Sequence, residues 1–325
     1  MKILVAGATG ALGKQLVPRL VAGGHDVAGM TRSESKIEAV RSLGATPVVA
    51  DALAPEEVAR AVGEVGPEII VHQLTALAGS LTDSRHPDRA FALTDRLRTE
   101  GTDHLLAAGR AVGVRRFVAQ SYAGWRFARR GGPVMIEDDP LDLGLPHKLR
   151  GMLDALRHLE DAVTGALSIE GLVLRYGNFY GPGTSMAPGG EHFEMVRKRK
   201  FPVVGSGAGV WSFVHIEDAA EATVAAVERG NRGIYNIVDD EPAAVAEWLP
   251  VLASALGAKP PPRVPRWLGR LLAGEAAAVM MTDVRGASNA KAKRELGWHP
   301  RHRTWREGFV EVAAQRGPLT TGRTA

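Results

Sequence analysis

The segment Gly7-Ala8-Thr9-Gly10-Ala11-Leu12-Gly13 constrains this chain more than any other. It follows the strand-like run Lys2–Ala6 and opens a helical stretch at Leu12. Glycines between a strand and a helix suit a turn whose backbone comes close to a ligand, with no Cβ in the way and helix N–H groups facing an anion. A chain that begins this way is committed to the α/β class.

The rest of the first half agrees. Candidate strands at Lys2–Ala6, His25–Met30, Thr46–Ala50, Ile69–Gln73, Arg116–Gln120 and Gly171–Arg175 alternate with helices at Leu12–Val21, Ser35–Leu43, Pro55–Val62, Thr102–Ala111 and Leu149–Val163. The alternation predicts a parallel sheet covered on both faces. After Arg175 the rhythm changes, and residues 176–209, with eight glycines and three prolines, read as loop-rich. Trp211–Ile216 and Gly233–Val238 read as strands, and Asp218–Val227, Val245–Leu256, Asn289–Leu296 and Trp305–Ala314 as helices. Lys259–Arg263, with its three prolines, is a rigid connector. The expected division is a dinucleotide-binding domain over residues 1–176, rejoined by 210–238. Residues 177–209 and 239–316 form a substrate-binding lobe, and 317–325 a frayed tail.

Composition removes several function classes. No apolar run among the 325 residues approaches the roughly 20 needed to span a membrane, and the start Met1-Lys2-Ile3-Leu4-Val5 leaves no room for a signal peptide. The absence of cysteine excludes disulfides, thiolate metal sites and cysteine nucleophiles, and predicts a cytoplasmic location. A formal net charge of +4 is no argument for nucleic acid, and the run Arg197-Lys198-Arg199-Lys200 reads as a solvated face. The ten histidines lack metal-site spacing, so no metal is predicted.

In its strand–turn–helix context the G-x-x-G-x-x-G loop predicts a dinucleotide held by Gly7, Thr9, Gly10, Ala11, Leu12 and Gly13. The second strand ends in Thr31-Arg32, where an NAD-binding chain would carry an acidic residue for the ribose hydroxyl. Arg32 is suited to a 2′-phosphate, so NADP is expected ahead of NAD, unless Arg32 merely starts a solvated loop. Asp51 and Ala52, ending the third strand, are placed for the adenine or are an ordinary strand end.

Further segments carry a resemblance. Asp51-Ala52-Leu53, Val71-His72-Gln73-Leu74-Thr75, Leu174-Arg175-Tyr176-Gly177-Asn178-Phe179-Tyr180-Gly181-Pro182-Gly183, Phe213-Val214-His215-Ile216-Glu217-Asp218, Tyr235-Asn236-Ile237 and Leu296-Gly297-Trp298 join the glycine loop. Over nearly its whole length the sequence resembles the extended branch of the short-chain dehydrogenases/reductases, the NAD-dependent epimerase/dehydratase family. The resemblance implies a Rossmann-type doubly wound parallel sheet with a smaller, mainly helical C-terminal substrate-binding lobe. It adds Leu74, Thr75, Tyr176 and Asn178 to the cofactor residues.

The family's acid/base is a tyrosine with a lysine four residues on, and this chain departs from it. Four residues after Tyr122, Tyr176, Tyr180 and Tyr235 stand Arg126, Tyr180, Thr184 and Asp239. With Glu160 aligned to the glutamate that follows the motif, the pair becomes Met152 and Leu156, neither able to move a proton. The candidates to replace it are Tyr122 and Ser121 at the tip of the fifth strand, then Lys148 beside His147. A core-filling Tyr122 and a solvated Lys148 are the alternatives. Nucleotide-sugar members carry an arginine two residues before the position of Phe213, where this chain has Trp211. An indole there predicts an apolar, aromatic substrate, or simple packing. Trp125, Met152, Tyr180, His192 and Trp211 are the expected pocket residues. The expected function is an NADP(H)-dependent oxidoreductase acting on a carbonyl or alcohol of a small, apolar metabolite. A cofactor-recycling epimerase or dehydratase, and a non-catalytic NADP(H) sensor, are the alternatives. The expected partner is that small molecule, with no nucleic acid and no membrane; a homodimer is the assembly considered.

Overall fold

The structure, a computed structural model, describes residues 1–77, 86–124 and 127–315. Seven strands form the main sheet: β1 (Lys2–Ala6), β2 (Asp26–Thr31), β3 (Thr46–Val49), β4 (Ile69–His72), β5 (Arg116–Tyr122), β6 (Glu170–Tyr176) and β7 (Gly233–Ile237). Their spatial order is β3-β2-β1-β4-β5-β6-β7, and every pair is parallel. The chain reverses its direction of winding between β1 and β4, which opens a crevice at the carboxyl ends of the strands.

The strands read as unbroken apolar runs because both faces are buried, and the period of two divides them. Ile3, Val5, Val71, Val118, Leu172 and Leu174 pack on one side under helices α1 (Ala11–Ala22) and α8 (Ile216–Glu228). Leu4, Ile70, Phe117 and Val173 pack on the other with Val58, Val62 and Leu105, from α3 (Pro55–Val65) and α5 (Glu100–Val112). Both α3 and α5 stop at glycines, Gly66 and Gly113, in the left-handed conformation. The remaining helices of the first half are α2 (Ile37–Arg41), α4 (Pro87–Arg98) and α6 (His147–Thr164).

A third core lies on the C-terminal side, where Leu149 and Met152 of α6 meet Trp211, Phe213, Trp248 and Phe309. It is enclosed by α7 (Glu191–Arg197), α9 (Val245–Ala255), α10 (Arg266–Thr282) and α12 (Trp305–Ala314); α11 (Ala290–Leu296) returns to β7. The segment expected as the strand Trp211–Ile216 is broken at Ser212 into Val210–Trp211 and Phe213–His215. The latter pairs in parallel with Asn178–Tyr180, and the glycine-rich stretch before it holds α7. No helix among the described residues is long and apolar enough to cross a membrane.

Candidate active site

Gly7 follows β1 with φ +98°, and a Cβ there would meet the Gln73 carbonyl oxygen at 2.8 Å. A Cβ at Gly13 would run into the carbonyls of Gly7 and Ala8. The loop can therefore lie against β4 and α1 only as glycine. Helix α1 has neither a side-chain cap nor an acidic residue in its first turn, so its leading N–H groups are left to an outside acceptor. This is the cradle that a dinucleotide pyrophosphate needs.

The other expected cofactor residues lie along the same crevice edge. Arg32 follows β2, is exposed, and takes part in no ion pair or hydrogen bond among the described residues. Thr31 Oγ1 accepts weakly from the Ser33 amide at 3.4 Å. Asp51 Oδ1 accepts from the Leu53 amide at 2.9 Å, and the Ala52 carbonyl lies 2.9 Å from His104 Nδ1. Leu74 and Thr75 follow β4. The Leu74 amide donates to His72 Nδ1 at 3.2 Å, leaving Nε2 to carry the proton toward Thr102 and the Leu97 carbonyl. Burial pushes the His72 imidazole down to about 4, so it is neutral. Tyr176 is buried, and its hydroxyl lies 2.7 Å from Thr223 on α8. Thr223 Oγ1 donates onward to the Ala219 carbonyl, so the phenol donates to Thr223.

Beyond β5 and β6 lies a small cleft lined by Tyr122, Gly124, Asn178, Trp211, Ser212 and Arg285, among others. Its parts are fixed by mutual bonding. Asn178 Nδ2 donates to the Ser212 carbonyl at 3.0 Å, so Oδ1 faces Tyr122 and accepts its hydroxyl proton at 2.8 Å. Burial pushes the Tyr122 phenol well above the ordinary tyrosine range, and the Asn178 bond offsets only part of that. Trp211 is buried, donates from Nε1 to the Met280 carbonyl at 2.9 Å, and packs on Trp248 at 4.9 Å between ring centroids.

The other candidates go elsewhere. Ser121 Oγ donates to Glu160 Oε1 at 2.6 Å, and Glu160 is held by Arg175 through Oε2 at 2.8 Å and Oε1 at 3.0 Å. The motif suggested Glu160 as a marker, but nothing in the sequence foretold this buried trio. Met152 and Leu156 are buried in α6. Lys148 begins that helix in a separate surface depression with His86 and Arg270. Tyr180 is fully buried, edge-on to His215 and Phe309. His192 stacks on Phe201 and lies 2.9 Å from Ser185 Oγ, and burial pushes it down to about 4. Trp125 lies outside the described residues. Sequence reasoning passed over Arg285 altogether, since no motif surrounds it.

Comparison with known proteins gives this geometry its setting. An NAD(P)H-binding family model matches residues 7–164, and the model of the NAD dependent epimerase/dehydratase family matches residues 153–238. A 3-diazoavenalumate denitrifying reductase from a Streptomyces species is 46% identical over 310 residues, spanning 95% of this chain and 99% of that one. The chain belongs to the NAD-dependent epimerase/dehydratase family, the extended short-chain dehydrogenases/reductases. Within the family it is also 27% identical to a 4-hydroxy-2-methyl-3-oxo-4-farnesyl-3,4-dihydroquinoline-1-oxide ketoreductase of Stigmatella aurantiaca, over 80% of this chain and 74% of the other. Among solved family structures, UDP-glucose 4-epimerase of Thermotoga maritima with UDP-glucose superposes with a TM-score of 0.75 at 24% identity, covering 96% of this chain and 97% of the other. The Thermus thermophilus UDP-glucose 4-epimerase complex with NAD gives 0.73 at 24% identity, covering 96% and 98%. This family member is an NAD(P)-dependent oxidoreductase by its kinship to named reductases and epimerases.

Proposed function

We propose that this chain is an NADPH-dependent reductase that replaces a diazo group by hydrogen on a small, flat metabolite. The observation that carries the reading is what the cleft has in place of the family's proton donor. Its described lining includes no histidine, lysine or carboxylic acid. The Tyr122 proton is committed to Asn178 on a phenol whose pKa burial has raised, and the aligned motif positions are the buried Met152 and Leu156. A ketone that receives hydride on carbon leaves an alkoxide that must be protonated. A diazonium group is already cationic and makes no such demand. Two electrons arrive with the hydrogen, the carbon–nitrogen bond breaks, a carbon–hydrogen bond forms and dinitrogen leaves.

The dinucleotide, when bound, supplies the hydride. The chain's own residues hold and orient: the glycine loop and the first turn of α1 take the pyrophosphate, Arg32 a 2′-phosphate, and Trp211 the flat body of the substrate. The relative named for denitrifying a diazo compound supports the choice of acceptor. A ketone is the second reading, favoured by the Tyr122 hydroxyl in the cleft wall and by the ketoreductase relative.

One experiment separates them. Purified protein is given NADPH with the diazonium salt of an aminohydroxycinnamate, or with aryl ketones, and Tyr122→Phe is run beside the wild type. The expected outcome is one dinitrogen released per NADPH consumed, with the variant within a fewfold of the wild-type rate. Ketone turnover that falls about a hundredfold or more in Tyr122→Phe, with no dinitrogen from the diazonium salt, would establish the second reading and discard the first.

A further inference from the structure

The cleft holds one charged side chain among its described lining, and the chemistry so far gives it no task. Arg285 follows α10, just before the short strand Gly286–Ala287. It is half-buried, and its Nε is buried with no hydrogen-bond partner. Among the described residues no carboxylate pairs with it. Asp283, two residues earlier, is taken by Arg266 at 2.7 Å and faces Arg129 at 3.5 Å, and Asp142 is paired with Arg129 at 2.6 Å. The buried Nε forfeits hydration without regaining a bond from the protein, a cost that an incoming anion would offset.

Its mounting is rigid. The Gly286 amide donates to the Pro133 carbonyl at 2.9 Å, the Ala287 amide to Ser212 Oγ at 2.8 Å, and the Val210 amide to the Val284 carbonyl at 2.9 Å. A Cβ on Gly286 would meet Pro242 at 2.7 Å and Val210 at 2.9 Å, so the backbone beside Arg285 has no slack. A guanidinium carried on a fixed stretch of backbone, lining the same cleft as the Trp211 indole, suits a planar carboxylate on a conjugated body.

We infer that Arg285 is the anchor for a substrate carboxylate, so that the cleft takes flat, conjugated carboxylic acids and discriminates against their neutral esters. This rests on the reductase reading above for the identity of the reacting group, but not for the anchor. The relative's substrate name, an -ate, is consistent with such an anion.

Two measurements test the two readings apart. Binding of p-hydroxycinnamate and of its methyl ester to the NADPH-loaded protein is measured by calorimetry, which needs no turnover. The wild type should bind the acid about tenfold to a hundredfold more tightly than the ester, the range for a charge-assisted bond. Arg285→Gln should erase that preference and Arg285→Lys restore part of it, with the Kd for NADPH unchanged in both as the check on folding. The same acid and ester, carrying a diazonium group, are then compared in turnover, and the preference should appear in KM rather than kcat. Equal binding of acid and ester by the wild type, or an acid preference that survives in Arg285→Gln, overturns the anchor even if dinitrogen is released. Arg285-dependent acid binding without dinitrogen release keeps the anchor and overturns the diazo reading.

Discussion

At the scale of single residues, the decisive question is which polar groups the protein has already satisfied. Arg175, Glu160 and Ser121 satisfy one another in the interior, so the strand-tip serine that the sequence offered as a polarising group is engaged in structure. Arg32 and Arg285 are the opposite case, with no ion pair among the described residues. For Arg32 this gives a direct expectation. Arg32→Ala should weaken NADPH binding by roughly tenfold to a hundredfold, the worth of a charge-assisted pair, and leave NADH binding nearly untouched. Titration of both cofactors into both proteins checks it, and an unchanged NADPH/NADH ratio would count against a 2′-phosphate site. Arg32 could be singled out from sequence because it stands at a fixed distance from a recognisable loop. Arg285 could not, because what singles it out is that it has no ion pair among the described residues, a property of three dimensions.

Elements were legible where burial follows a regular pattern along the chain, on both faces of a strand or on one stripe of a helix. The strand β1 and the helix α12 fall where the periodicity puts them, and β5 and β6 extend their predicted cores by one or two residues. Helix α4 was not foreseen: it buries only Pro87, Thr94 and Arg98, so it shows no apolar stripe. Helix α10 was missed for a different reason. It is interrupted at Gly274, with φ 89°, and it exposes Trp267, Leu271 and Leu272, so its apolar residues follow no single face. The glycine turn belongs to this scale too, because it joins β1 to α1 by backbone packing alone. Gly13→Ala should push the helix away from the turn, costing about 1–3 kcal/mol of stability and most of the affinity for either dinucleotide. Urea unfolding and cofactor titration measure the two effects, and wild-type values in both would show that the turn can relax.

The whole molecule adds what no element has alone, a response to pH set by its interior. His72 sits under the crevice, held neutral with a pKa of about 4 against 6.5 for a free imidazole. Between those values the unfolded chain binds more protons than the folded one, so stability is full above pH 6.5 and falls as the pH drops toward 4. The loss from this group reaches about 3 kcal/mol, and His192, also near 4, acts in the same direction. His302, raised by its bond to Asp218, acts in the opposite one. Stability measured by urea unfolding from about pH 7 to about pH 4.5 should therefore fall less steeply in His72→Gln than in the wild type, and parallel curves would refute the assignment. The fold also joins the cleft to the lobe's core through aromatic rings, Trp211 meeting Phe201, Phe213 and Trp248. Trp211 is a wall of the cleft, and it lies against Trp248, which is fully buried. Two indoles this close share their excited states, so a flat molecule seated on one alters the light emitted and the ellipticity produced by both. Filling of the cleft is therefore expected to change the protein's intrinsic fluorescence and near-ultraviolet circular dichroism, a reading that needs no label and no turnover.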